Sequence, residues 1–161
     1  MEAYTIRKAN VHDTPDIAKL INFYAKDGIM LPKPLSRIYE TIRDFSVIEF
    51  ENNLIGCGAL HIYWENLAEV RSLVVSSDHQ STGLGKKLLV KLLKEALNYE
   101  ISVVFALSFK PEFFKKLGFY EVDKESLPHK IWKDCFDCPH FPNCGETALK
   151  INLNGSINEL G

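Results

Sequence analysis

The segment that most narrows what this chain can fold into is a leucine stripe that opens on two glycines. Leu84, Leu88, Leu89, Leu92, Leu93, Ala96 and Leu97 recur three and four residues apart, which predicts an amphipathic helix over residues 83–97. Lys86, Lys87, Lys91 and Lys94 fall largely outside the stripe. Upstream, the apolar run Leu73-Val74-Val75 reads as the end of a buried strand. A helix with one apolar face, entered from a buried strand, needs a sheet to cover.

The other elements fit that demand. Strands are expected over residues 5–9, 47–51, 54–63, 69–75, 101–107, 119–122 and 147–153. A helix is expected after Asp13 or Thr14 as cap, with Pro15 in its first turn and Ile17, Leu20, Ile21 and Tyr24 on one face. After Pro32 and Pro34, helical spacing resumes over residues 35–45, and Pro111 opens a short helix over 111–116. Asn52-Asn53 joins two strands in a tight hairpin, because Asn tolerates positive φ. Strands alternating with helices, plus a hairpin, give an α/β class with a mixed sheet. At 161 residues the chain suits one domain, expected over 1–153 with a frayed tail at 154–161.

Composition excludes several function classes. A net charge of −2 gives no electrostatic footprint for nucleic acid or an anionic membrane. No apolar run approaches the ~18 residues of a membrane span. Met1-Glu2-Ala3-Tyr4 lacks the pattern of a secretory signal, so a cytoplasmic location with reduced cysteines is the expectation.

The chemistry concentrates in Ser76-Ser77-Asp78-His79-Gln80-Ser81-Thr82-Gly83-Leu84-Gly85-Lys86. Unsatisfied N–H groups at a helix start converge on one point, and the helix dipole adds partial positive charge. Gly83 and Gly85 would let an anion approach the backbone, as a pyrophosphate cradle requires. A Walker loop is excluded, since Gly-Lys-Ser/Thr at its spacing is absent, and a dinucleotide fingerprint lacks its third glycine. Glycines kept only for packing are the alternative reading.

Gln80-x-x-Gly83-x-Gly85 after Leu73-Val74-Val75 resembles the coenzyme A signature of the GNAT superfamily of N-acetyltransferases. Pro111-Glu112-Phe113-Phe114-Lys115-Lys116-Leu117-Gly118-Phe119 resembles that superfamily's second motif, a short helix ending in Gly-Phe. The resemblance runs over nearly all of residues 3–153 and implies a mostly antiparallel sheet flanked by helices. It further implies acetyl-coenzyme A as cosubstrate. Leu73, Val74 and Val75 would pair with the pantetheine arm, and Gln80, Ser81, Thr82, Gly83, Leu84, Gly85 and Lys86 would surround the pyrophosphate. Glu69 matches the place where histone acetyltransferases of the superfamily carry a general base, with Glu65 and His61 as alternatives. Many members place a tyrosine in the second motif to protonate the leaving thiolate. Here that place holds Phe114, which has no proton to give, and water, Tyr120 or Ser108 are the substitutes.

A narrower resemblance comes from residues 31–40, 105–114 and 127–135, which are similar to the short N-acetylglutamate synthases. It implies the α-amine of L-glutamate as acceptor and the first step of arginine biosynthesis. A substrate with two carboxylates calls for cations, and Arg71, on the face of Glu69 if the strand is regular, is the leading candidate with Lys33. Arg37 and Lys110 follow. Other amines, a peptide N-terminus, and a coenzyme A-binding module without chemistry stay open, as does a homodimer. Cys135-x-x-Cys138 with Cys144 has part of a zinc spacing, with His129 or His140 as fourth ligand; a packed loop near the substrate mouth and a redox-labile thiol cluster are the competing readings, so no metal is assigned. Cys57, between Gly56 and Gly58, reads as a small core residue.

Overall fold

The computed structural model describes residues 4–80, 82–127 and 146–154. Seven strands form one sheet: β1 (Tyr4–Lys8), β2 (Phe45–Phe50), β3 (Asn53–Trp64), β4 (Leu67–Val75), β5 (Val103–Ser108), β6 (Tyr120–Val122) and β7 (Thr147–Asn152). Their order across the sheet is β1-β2-β3-β4-β5-β7-β6. Every neighbouring pair is antiparallel except β4 and β5. The helices are α1 (Thr14–Ala25), α2 (Leu35–Glu40), α3 (Leu84–Asn98) and α4 (Pro111–Lys115). The α/β expectation, a mostly antiparallel sheet flanked by helices, is met.

The leucine stripe covers one face of the sheet. Leu88, Leu89, Leu92, Leu93 and Ala96 of α3 are fully buried. Most of them pack with Leu60, Ala68, Val70, Val104 and Leu149 from four central strands. Each such leucine contributes roughly 1.5–3 kcal/mol of burial free energy. Gly58 permits the close approach: a Cβ there would lie 2.9 Å from Leu73 Cδ1 and 3.1 Å from Leu92 Cδ1. On the opposite face α1 and α2 bring Ile17, Ile21, Tyr24 and Ile38 against Phe45, Val47, Cys57, Ala59 and Val74.

Among the local boundaries that differ from the sequence expectation, three are informative. Asp13 precedes α1 but makes no side-chain cap. Its carboxylate instead takes Arg7 at 2.8 and 2.9 Å and Asn10 N at 2.8 Å, and the Arg7 guanidinium holds it below the usual carboxylate range. The helical spacing of 35–45 breaks at Glu40, and a 3-10 turn, Ile42–Asp44, follows. Phe45 is already a strand residue, because pairing with Ala59 and burial against α1 outweigh the local period. The hairpin turn is Glu51-Asn52, with φ of 51° and 64°, and Asn53 opens β3. Among the described residues no helix is long and apolar enough to cross a membrane.

Candidate functional site

Strand β4 runs beside β5 for only two residue pairs, Ala68 with Val104 and Glu69 with Phe105. Beyond Glu69 no β5 residue pairs with β4, so the two parallel strands part in a wedge. An edge of peptide groups facing such a gap can pair with an extended ligand.

A bulge sets which side chains face the wedge's two sides. Cys57 lies opposite Val74, but Ala59 lies opposite Arg71, so β4 carries one extra residue at Ser72–Leu73. Ser72 takes the left-handed conformation, φ 55°. Before it, Ala68 and Val70 point to α3 while Glu69 and Arg71 point away. After it, Leu73 and Val75 pack toward α3 and Val74 toward α1. The strand is therefore regular where the Glu69–Arg71 expectation required regularity, and irregular immediately beyond.

The glycine turn lies where β4 hands over to α3. Gly83 is the N-cap of α3 at φ 83°, and no side chain caps the helix. The first bond of the helix runs from Lys87 N to Gly83 O at 3.1 Å. This leaves the amides of Leu84, Gly85 and Lys86 without an acceptor among the described residues. The turn itself is braced: Gln80 Nε2 donates to Val75 O at 2.8 Å, Thr82 Oγ1 to His79 O at 2.6 Å, and Ser77 N to Tyr24 OH at 2.6 Å. Gln80 thus spends its amide on the strand end. The positive φ of Gly83 demands glycine, but a Cβ on Gly85 would meet only ordinary contacts, 3.5 Å from Phe113 Cζ and 3.8 Å from Val75 Cγ2. Protein packing does not require glycine at 85, which weakens the packing-only reading. Lys86 is exposed on the same turn.

On the face away from α3, the residue Glu69 is 7% exposed, and its Oε1 accepts from Arg71 Nε at 3.0 Å, Arg71 Nη2 at 2.8 Å and Tyr63 OH at 3.1 Å. Arg71 Nη2 also donates to the Tyr63 hydroxyl, and its guanidinium carbon lies 5.6 Å from the Tyr63 ring centroid. Next along β3, His61 Nδ1 is 2.7 Å from Asp44 Oδ2, and its ring meets Tyr63 edge-on at 4.8 Å. Asn22 of α1 clamps the backbone of Lys33, donating to its carbonyl and accepting from its amide, both at 3.0 Å. Lys33 is close enough to Cys57 for its charge to act on the thiol, which burial nonetheless pushes up to about 12. Asn22 thus holds the Lys33 backbone against α1, on the sheet face away from α3 to which Arg71 also points, and Cys57 Sγ donates to Ser72 O at 3.5 Å beside the bulge.

Other expectations separate. Tyr120 lies on the outer strand β6, its hydroxyl bonded by Asn152 Nδ2 at 3.2 Å, far across the sheet from the wedge. It is thereby withdrawn as a thiolate acid. Ser108 ends β5 at the open side, but its Oγ accepts from Lys110 N at 2.9 Å and shapes the turn into α4. Phe114 is buried among Phe113, Phe119 and the α3 core. Glu65 is exposed in the turn beyond β3. Ser81, Cys135, Cys138 and Cys144, with His129, His140 and residues 155–161, lie outside the described residues. Among the described residues no group of three or more His, Cys, Asp or Glu could hold a metal ion. Tyr63, Asp44 and Asn22 carried no signal in the sequence: their roles come from neighbours 6 to 17 residues away brought together by the fold.

The fold is shared with known proteins. The sequence pattern of the acetyltransferase (GNAT) family matches residues 16–121. An uncharacterized N-acetyltransferase of Chlorobaculum tepidum is 39% identical over 149 residues, 92% of this chain and 96% of that one. The amino-acid acetyltransferase of Mycobacterium tuberculosis is 36% identical over 132 residues, 80% of this chain and 75% of that one. Among solved structures, N-acetylglutamate synthase from Neisseria gonorrhoeae, complexed with coenzyme A and N-acetyl-glutamate, superposes with a TM-score of 0.86 at 32% identity. That match covers 94% of this chain but 35% of the synthase, so this chain corresponds to about a third of it.

Proposed function

Since the chain belongs to the GNAT family of acetyltransferases, we propose that it transfers the acetyl group of acetyl-coenzyme A to the α-amine of an amino acid, with L-glutamate as acceptor. The observation that carries the reading is one strand, β4, with unfilled helix amides beyond its end and the Glu69–Arg71 pair at the point where β5 leaves it.

The parts divide the work along that strand. The amides of Leu84, Gly85 and Lys86, reinforced by the helix dipole, receive the pyrophosphate. The pantetheine arm lies in the wedge against Leu73, Val74 and Val75, which directs the thioester toward Glu69. Arg71 and Lys33 face the same side and supply cations for the two carboxylates of glutamate, with Arg suited to a bidentate contact. Glu69 takes the proton from the ammonium, either directly or through a water. The freed amine attacks the thioester carbonyl, the C–S bond breaks, and the proton that the nitrogen sheds on becoming an amide passes through water to the thiolate. A strong acid is not needed at that step, because a thiol with pKa near ~8.5 leaves readily. On this reading the product enters arginine biosynthesis in the cytoplasm.

Thiol release with a panel of amines tests the assignment. Glutamate should give the highest kcat/KM of the panel. Turnover with another amine and none with glutamate would refute the acceptor assignment. Because Phe114 offers no hydroxyl, a module that binds coenzyme A without chemistry is the second reading, favoured if acetyl-coenzyme A binds but no amine releases thiol.

A further inference from the structure

Transfer to an ammonium releases one proton per turnover. R–NH3⁺ and the thioester give the amide, the free thiol and H⁺, so whichever group takes that proton must pass it on before the next cycle. Glu69, the proposed acceptor, is poorly placed to do so alone. It is 7% exposed, and its Oε1 is engaged by Arg71 and Tyr63.

Directly across the ladder from Glu69 stands His61. Opposed residues on one face of an antiparallel pair have Cβ atoms about 4.5–5.5 Å apart. The two share a face, because the Tyr63 ring meets His61 edge-on and the Tyr63 hydroxyl bonds Glu69. Asp44 fixes the tautomer. A carboxylate only accepts, so in the neutral ring Nδ1 carries the hydrogen toward Asp44 Oδ2, 2.7 Å away, and Nε2 holds the lone pair. The His61 side chain is 30% exposed, against 9% for Glu69. The charged and titratable groups in contact around this place are Asp44 from the turn before β2, Tyr63 from β3, and Glu69 and Arg71 from β4.

We propose that the Asp44–His61 pair is the proton outlet of the site: Glu69 hands the ammonium proton to His61 Nε2, Asp44 stabilises the imidazolium, and the partly exposed ring gives the proton to solvent. The inference rests on Glu69 acting as the acceptor in the proposed function. The transfers balance: Glu69 returns to carboxylate as His61 becomes imidazolium, and His61 returns to neutral as solvent takes the proton. His61 is thus a positioning and relay residue acting through Glu69.

Two measurements test it, one of them independent of any amine. In ¹⁵N spectra of the whole chain, Glu69→Gln should lower the His61 titration midpoint by about half a pH unit or more, because a negative charge beside the ring is removed. Asp44→Asn should lower it as well. In turnover with the best amine, His61→Gln should cut kcat about 100-fold and leave the KM for acetyl-coenzyme A within about twofold, a loss at the low end for proton transfer. Added imidazole should restore the rate of His61→Ala. A His61 midpoint unmoved by Glu69→Gln, or a His61→Gln rate equal to the parent across pH 6–9, overturns the relay. A parent that turns over no amine refutes the transferase reading instead, while the midpoint measurement still decides whether Glu69 and His61 are coupled.

Discussion

Replacing Gly85 by alanine should make the protein more stable and its cofactor affinity weaker, a pairing that only a ligand against that backbone predicts. The protein leaves room: the new Cβ would lie 3.5 Å from Phe113 Cζ and 3.8 Å from Val75 Cγ2, ordinary contact distances. Gly85 lies in the first turn of α3 and is not among the residues with positive φ. Alanine is favoured over glycine in a helix by about 0.5–1 kcal/mol. For 161 residues the entropy of unfolding is about 0.34 kcal/mol per kelvin, so Tm should rise by roughly 1.5–3 °C. Coenzyme A at a hundred times its Kd should add about 2.7 kcal/mol to the parent, or roughly 8 °C. If the methyl group displaces the pyrophosphate enough to weaken binding tenfold, the variant loses about 1.4 kcal/mol of that, leaving a shift of about 4 °C. Thermal melts of both proteins with and without coenzyme A read all four numbers. A variant that gains stability and keeps the full ligand shift would refute the cradle at Gly85. A variant that loses stability would refute the packing argument.

Three further outcomes follow from the same geometry. Glu69→Gln should lower kcat about 10²–10⁴-fold at neutral pH with little change in cofactor affinity, and unchanged rates would reject Glu69 as base. Cys57, its thiol pushed up to about 12 by burial, should resist alkylation at pH 8 until the protein unfolds, as read by peptide mass. The folded state then holds that proton between pH 9 and 12, where an unfolded thiol releases it. Stability is complete below pH 9 and falls as pH rises by up to about 1.4 kcal/mol per unit, a slope that Cys57→Ala should reduce in paired denaturant titrations. Ser72→Val places a β-branched side chain at φ 55° and should cost about 2 kcal/mol, or roughly 6 °C in Tm, whereas Ser72→Gly should not destabilise; a valine variant as stable as the parent would remove the bulge from the argument.

The order of elements, the leucine-covered sheet and the uncapped glycine turn were legible in the sequence, since each rests on a local pattern: a helical period, an apolar run, a residue without a Cβ. Glu69 and Arg71 were legible as a pair for the same reason, being two apart on a strand. What their side chains do there was not. The wedge between β4 and β5 exists because pairing stops after two residue pairs, and no residue in either strand announces where it stops. The Ser72 bulge, which exchanges the faces of β4, depends on the register against β3. Asp44 reaches His61 because Phe45 was drawn into the sheet and ended a helix that local spacing favoured. The Lys33 backbone is held against α1 by Asn22, a polar residue with no motif around it. Local chemistry along the chain decided which elements form and where an anion can be gripped. Distant pairing decided which side chains share an environment, because proximity between remote segments is set by the packing of the whole sheet rather than by any short run of residues.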